Sequence, residues 1–173
     1  MTANTAAKST AITNRDATPR VLTPAHLVRG TLFQASGHYA KLAGDGDGSI
    51  IRLWRVRSSD RISGVNIVNV ALTGCTDCDI GFYRTAADGG AAVASCTDIL
   101  ADGQSMASAR TAPTNLLGAG TNGVPAASIS KRVWELMGLT ADPQVEYDVA
   151  ITLNTAGSAA GAIGGHLNYC AGN

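Results

Sequence analysis

The chain has 173 residues, enough for one domain with a substantial core. Its 13 basic and 13 acidic residues cancel, so no global field recruits nucleic acid or an anionic membrane. Aromatics at 5% are thin for a sugar-binding or base-stacking surface, and no apolar run approaches membrane-spanning length.

Residues 1–28, "MTANTAAKSTAITNRDATPRVLTPAHLV", are polar, lack either periodicity and carry Pro19 and Pro24. Lys8, Arg15 and Arg20 against Asp16 make the segment net +2. It is too polar to bury a core of its own, so an extended N-terminal arm is expected. There is no apolar h-region, so a secretory signal is not expected. The four cysteines form no obvious paired framework. Reduced thiols in a protein made in the cytoplasm are the simpler expectation.

From residue 29 the texture becomes β. "GTLFQASGHYAKLA" reads as a strand or two broken at Gly37. "GDGDGSIIRLWRV" then poses a choice, because Asp45, Asp47 and Ser49 have the one-three-five oxygen spacing of a calcium loop. Such a loop also needs Gly at position six and a bidentate Glu at twelve. Counting from Asp45 puts Ile50 and Val56 there; counting from Ala43 restores Gly48 but puts Trp54 at twelve. Neither register closes the site. A turn feeding a strand at 49–56 is the expectation, and no metal or other cofactor is assigned.

"RISGVNIVNVALTG" (61–74) alternates clearly, with Asn66, Val68, Val70 and Leu72 on one face and Val65, Ile67, Asn69 and Ala71 on the other. "CDIGFYRT" (78–85) follows as in a hairpin, then "AADGGA" turns. Residues 91–128 read as loop-rich, with weak strand signals near "AAVASCTDIL". One helix is expected in "ISKRVWELMGL", capped by Ser128 or Ser130 and stopped at Gly138. Ile129, Val133, Leu136 and Met137 share its apolar face. "EYDVAITLN" (146–154) places Tyr147, Val149, Ile151 and Leu153 on one face, and "AIGGHLNYC" (162–170) closes the chain. Frequent turns and seven to eight strands favour a mainly β, antiparallel sandwich or jelly roll over 29–173, with one short helix.

Several motifs carry no chemistry in this context. "GAGTNG" (118–123) matches a dinucleotide fingerprint but lacks the preceding strand and following helix. "GQSMA" (103–107) lacks the last Gly of a nucleophile elbow, and three histidines make a Ser-His-Asp set cheap to draw. Cys75 and Cys78 form C-x-x-C between two strands, where turn thiols are the plainer reading than zinc or a redox pair. Cys96 and Cys170 stand alone. Arg52, Arg55, Arg57 and Arg61 gather around one strand with Trp54. In a neutral chain without a nucleic-acid module they read as interface or strand-edge arginines. Val133, Trp134 and Met137 read as core packing of the helix.

The order of these pieces, above all "DIGFYRTAADGG" and "DPQVEYDVAITL", resembles the head decoration or cement proteins of tailed bacteriophages over residues 45–170. The resemblance implies a β-sandwich or barrel-like domain on the outer capsid lattice. It implies trimers, or alternatively dimers, that bridge neighbouring major capsid subunits. It also implies no enzymatic activity and no cofactor, while the neutral charge and the lack of an apolar span set the expectation of no nucleic acid and no membrane. Avidity over a symmetric lattice multiplies small interfaces, and a polar arm gains order on a groove. Candidate partner-binding residues are Lys8, Arg15 and Arg20 of the arm, Arg29 directly after it, and Arg52, Trp54, Arg55 and Arg57 on the strand. A tail, baseplate or head-fibre module touching the host is the alternative.

Overall fold

The computed structural model describes residues 10–19, 21 and 31–172. The chain divides into two units, Met1–Thr31 and Leu32–Asn173. In the first, Thr10–Asp16 is helical (α1), which corrects the extended reading for those residues. A helical turn satisfies the backbone groups of a polar segment locally. The Val21 N–H returns to the Asn14 carbonyl at 3.0 Å.

The second unit is a β-sandwich. Its strands are β1 (Leu32–Lys41), β2 (Ser49–Arg57), β3 (Arg61–Asn69), β4 (Asp77–Arg84), β5 (Arg110–Asn115), β6 (Glu146–Thr155) and β7 (Gly161–Cys170). One sheet runs β1-β7-β3-β5 and the other β2-β6-β4, with every pairing antiparallel. Alternating apolar residues fill the space between the sheets. Val65 and Ile67 of β3, Ile163 and Leu167 of β7, and Ile80, Phe82, Val149, Ile151 and Leu153 of the facing sheet are fully buried. The expected shared face of Tyr147, Val149, Ile151 and Leu153 is this core face.

Beside β4 the segment 91–101 supplies an irregular eighth element. Ile80 exchanges backbone bonds with Leu100 and Ala101, Phe82 with Val93 and Cys96, and the Arg84 N–H reaches the Ala91 carbonyl. Counting it, the elements alternate between sheets except at the β4 hairpin, which is jelly-roll connectivity. Gly81 permits the close approach, because a Cβ there would lie 2.1 Å from the Cys96 carbonyl oxygen.

Four local expectations change. β1 is continuous through Gly37; the glycine is needed because a Cβ would sit 2.6 Å from the Leu53 carbonyl oxygen of β2. β3 ends at Asn69, so Leu72 leaves its expected face and is fully buried. β5 forms inside the stretch read as loop, on the sheet edge, where Pro113 is tolerated. The helix near 130 (α2) spans only Val133–Leu136, and Ile129 is 54% exposed. The Glu135 carboxylate accepts the Arg132 N–H at 2.7 Å, so the start lies after both serines. Gly138, at φ 71°, ends it as expected. No helix among the described residues is long and apolar enough to cross a membrane.

Candidate interaction surface

β2 carries the body half of the expected partner-binding set, and its two faces separate those residues. A bulge between Arg52 and Trp54 shifts the alternation by one. Ile51, Trp54 and Val56 consequently point into the sandwich, while Arg52, Arg55 and Arg57 are exposed. Trp54 is 5% exposed and belongs to the core; it is not a surface anchor in this fold.

Arg52 and Arg55 converge on Asp148 of the adjacent β6. Arg55 Nε donates to Asp148 Oδ1 at 2.8 Å, and Arg52 Nη1 donates to Oδ2 at 3.0 Å. Each carboxylate oxygen thereby takes one guanidinium, and the carboxylate is only 7% exposed. Arg52 goes further. Its Nη1 donates to the Arg84 carbonyl at 2.9 Å, its Nη2 to the Gly90 carbonyl at 2.6 Å, and its head lies 5.4 Å from the Tyr83 ring centroid. The "FYRTAADGG" turn builds that pocket: Thr85 Oγ1 donates to Asp88 at 2.7 Å, and Gly89 and Gly90 take left-handed φ angles. Arg55 also approaches Glu146, at 3.9 Å between exposed groups, a contact that solvent screens. The hydrogen bond to Asp148, then its nearby charge, raises the Arg55 guanidinium above its ordinary range.

Arg57 differs. Among the described residues its guanidinium has no hydrogen-bond or ion-pair partner within the chain; its backbone is held by Asp60, whose Oδ2 takes the Arg57 N–H at 2.9 Å and whose N–H reaches the Arg57 carbonyl at 3.1 Å. It lies between two clefts at one end of the sandwich. One, of about 450 Å³, is lined by Ser58, Ser59, Asp142, Gln144 and Val145. The other, of about 350 Å³, is lined by Phe33, Arg55, Asp60 and Tyr169, with Phe33 and Tyr169 stacked at 5.8 Å. Arg57 and Glu146 line both. The clefts rest on a fixed corner. Buried Asp60 takes the Gly172 N–H at 3.0 Å with its other oxygen, and its carbonyl takes the Val133 N–H of α2 at 2.8 Å.

The arm residues Lys8, Arg20 and Arg29 lie outside the described residues, and so does the Arg15 side chain, although its backbone belongs to α1. Sequence reading missed Asp148, Asp60 and Lys41. Register is the signal for the first, since Arg55 pairs directly with Asp148 across the ladder. Lys41 is 1% exposed and donates to the carbonyls of Leu42, Gly157 and Ala159 at 3.0–3.3 Å. The Asp-Gly run serves the β1–β2 turn. Asp45 accepts the Leu42 N–H at 2.8 Å and the Tyr39 hydroxyl at 3.0 Å, while Asp47 accepts the Ala156 N–H at 2.8 Å. Ser105 lies beside core Met106 in a loop, its Oγ accepting the Ala107 N–H at 3.3 Å. Among the described residues no group of three or more His, Cys, Asp or Glu is placed to hold a metal ion.

The fold is a jelly-roll sandwich in which Arg57, the β2 arginine without an internal partner among the described residues, lies between two end clefts. It is similar to a solved chain described as "Cyanophage Pam1 capsid asymmetric unit", with a TM-score of 0.50 and 16% identity. The match covers 87% of this chain and 92% of that one, and at this identity the likeness is one of fold. No family model matches the chain, and no curated protein matches it.

Proposed function

We propose that this chain is a structural virion protein that decorates and cements a bacteriophage capsid by bridging neighbouring major capsid subunits. The observation that carries the reading is the shared jelly-roll fold with a chain of a phage capsid assembly, over nearly the whole of both chains. The decoration and cementing role itself is what the resemblance of "DIGFYRTAADGG" and "DPQVEYDVAITL" implies. In this reading the protein is non-enzymatic, needs no cofactor, and sits on the outer capsid surface after synthesis in the host cytoplasm. It associates with itself, as a trimer in preference to a dimer, and binds neither nucleic acid nor membrane. Arg57 and its clefts take a capsid segment bearing a carboxylate, and the arm, with Lys8, Arg15, Arg20 and Arg29, orders against a capsid groove.

A reconstruction of the virion that carries this chain tests the assignment. Density for the sandwich on the outer capsid lattice, touching more than one capsid subunit, is expected. Density at the tail or baseplate instead supports a host-contact module and removes the cementing role. For the arm, deletion of residues 1–28 is expected to leave a folded body with reduced occupancy on purified heads. Undiminished occupancy removes the arm from the interface.

A further inference from the structure

We propose that Cys75 and Cys78 are a redox modification site, a buried dithiol that closes to an intramolecular disulfide by exchange with a small-molecule disulfide. All four cysteines are free thiols, but only this pair is in contact, with the sulfurs 3.2 Å apart. Both residues are fully buried. Cys170 instead accepts a hydrogen bond from Arg61 at 3.3 Å.

The pair sits where three connections meet. The Cys75 N–H closes the preceding turn on the Leu72 carbonyl at 2.8 Å. Cys78 lies in β4, opposite Leu153. One loop holds both residues from outside: the Met106 N–H donates to the Cys75 carbonyl at 2.9 Å, and the Gln104 N–H to the Cys78 carbonyl at 2.7 Å. Gly157 of the β6–β7 connection presses on the same turn, since a Cβ there would lie 2.5 Å from the Gly74 carbonyl carbon and the Thr73 oxygen. With no third ligating side chain grouped with them among the described residues, these sulfurs have each other as their chemistry.

The order of attack follows from position. Cys75 has exposed chain neighbours, Gly74 and Thr76, so opening of the turn brings it to solvent first. Its thiolate attacks one sulfur of the reagent, releasing one reagent thiol and leaving a mixed disulfide. Cys78 then attacks the Cys75 sulfur and releases the second thiol. In total, two protein thiols lose two protons and two electrons as one S–S bond forms. The reagent's S–S bond breaks and accepts them. Burial, and then the hydrogen bond with Cys75, raise the Cys78 thiol above its ordinary range, which keeps the reduced pair inert while the turn is shut; opening of the turn relieves that burial and lets Cys78 lose its proton for the second attack.

The reduced full-length chain is incubated with excess glutathione disulfide, denatured, alkylated with N-ethylmaleimide and mapped by peptide mass. The expected result is alkylation at Cys96 and Cys170 only, with the 75–78 region lighter by two hydrogens. Alkylation at all four sites, or a bridge to Cys96 or Cys170, overturns the proposal. In Cys78→Ser the glutathione adduct is expected to remain on Cys75; an unmodified Cys75 overturns the order of attack. The oxidised wild type is expected to exchange the Met106 amide more slowly than the reduced form. Equal rates overturn the idea that the bond clamps this junction.

Discussion

Asp148 projects from the outer side of a central strand, where solvation is the default for a carboxylate, yet two arginines cover it. Arg52 and Arg55 are thus chiefly internal fasteners, while the neighbouring Arg57 has no such task among the described residues. The difference is measurable. Asp148→Ala leaves two guanidinium groups without their shared acceptor and is expected to destabilise the fold by about 2–3 kcal/mol. Arg57→Ala is expected to change stability by less than about 0.5 kcal/mol. Urea unfolding of both variants decides it: equal effects would mean that Asp148 contributes no more than a surface charge. The two arginines and the Asp were visible in sequence, but Arg55 and Asp148 are 93 positions apart. Only the β2–β6 register makes them partners. Trp54 lies in the core instead of at a partner surface for a related reason: a one-residue bulge reverses which face the following residues occupy, and alternation alone does not announce it.

At the scale of elements, the long strands were legible because their inward face is apolar: β3 and β6 read directly as period-two patterns, and β7 as the closing strand. The failures have physical causes. Gly37 reads as a break from sequence, but its role is to admit the Leu53 carbonyl of another strand, a tertiary demand. β5 is an edge strand of mostly exposed Thr, Ala, Pro and Asn, so it lacks the apolar alternation that marks a strand. The apolar period over Ile129–Met137 predicts a longer helix than α2, whose one turn starts after both serines, buries only Val133 fully and leaves Ile129 outside it. The β1–β2 turn was read correctly as a turn, and it carries a pH dependence. The hydrogen bond to Asp45, then burial, raises the Tyr39 phenol above its ordinary value of 10.0. The folded chain then holds this proton at pH values where the unfolded chain has lost it. Stability from the contact is complete below pH 10 and is lost as pH rises through the folded value. Melting temperatures between pH 8 and 11 are expected to fall at the alkaline end, and less steeply in Tyr39→Phe. Part of the slope stays, because burial also raises Tyr147. An identical alkaline slope in the variant would remove Tyr39 from the account.

For the whole molecule, zero formal charge means that approach to any large partner is not steered by a long-range field. A sandwich that satisfies Arg52 and Arg55 internally presents a correspondingly sparse charge pattern at its cleft end, with Arg57 the member of the β2 set left to meet a partner. Under the capsid reading, two mechanisms predict different salt responses. If the clefts dominate, head binding rests on shape and about one ion pair. Affinity is then expected to fall only about threefold between about 50 and 200 mM salt, because a single close pair is weakly screened. Arg57→Glu is expected to weaken binding by about tenfold, roughly 1.4 kcal/mol, without lowering the melting temperature. If the arm dominates, four further cations at Lys8, Arg15, Arg20 and Arg29 enter the contact. The salt dependence then steepens by an order of magnitude or more, and Arg57→Glu matters little. Binding isotherms on purified heads at two salt concentrations, for wild type and Arg57→Glu, separate these outcomes. A shallow salt response with unchanged affinity for Arg57→Glu would exclude both, leaving uncharged surface outside the clefts, such as the exposed Leu42 and Ile50, to carry the contact.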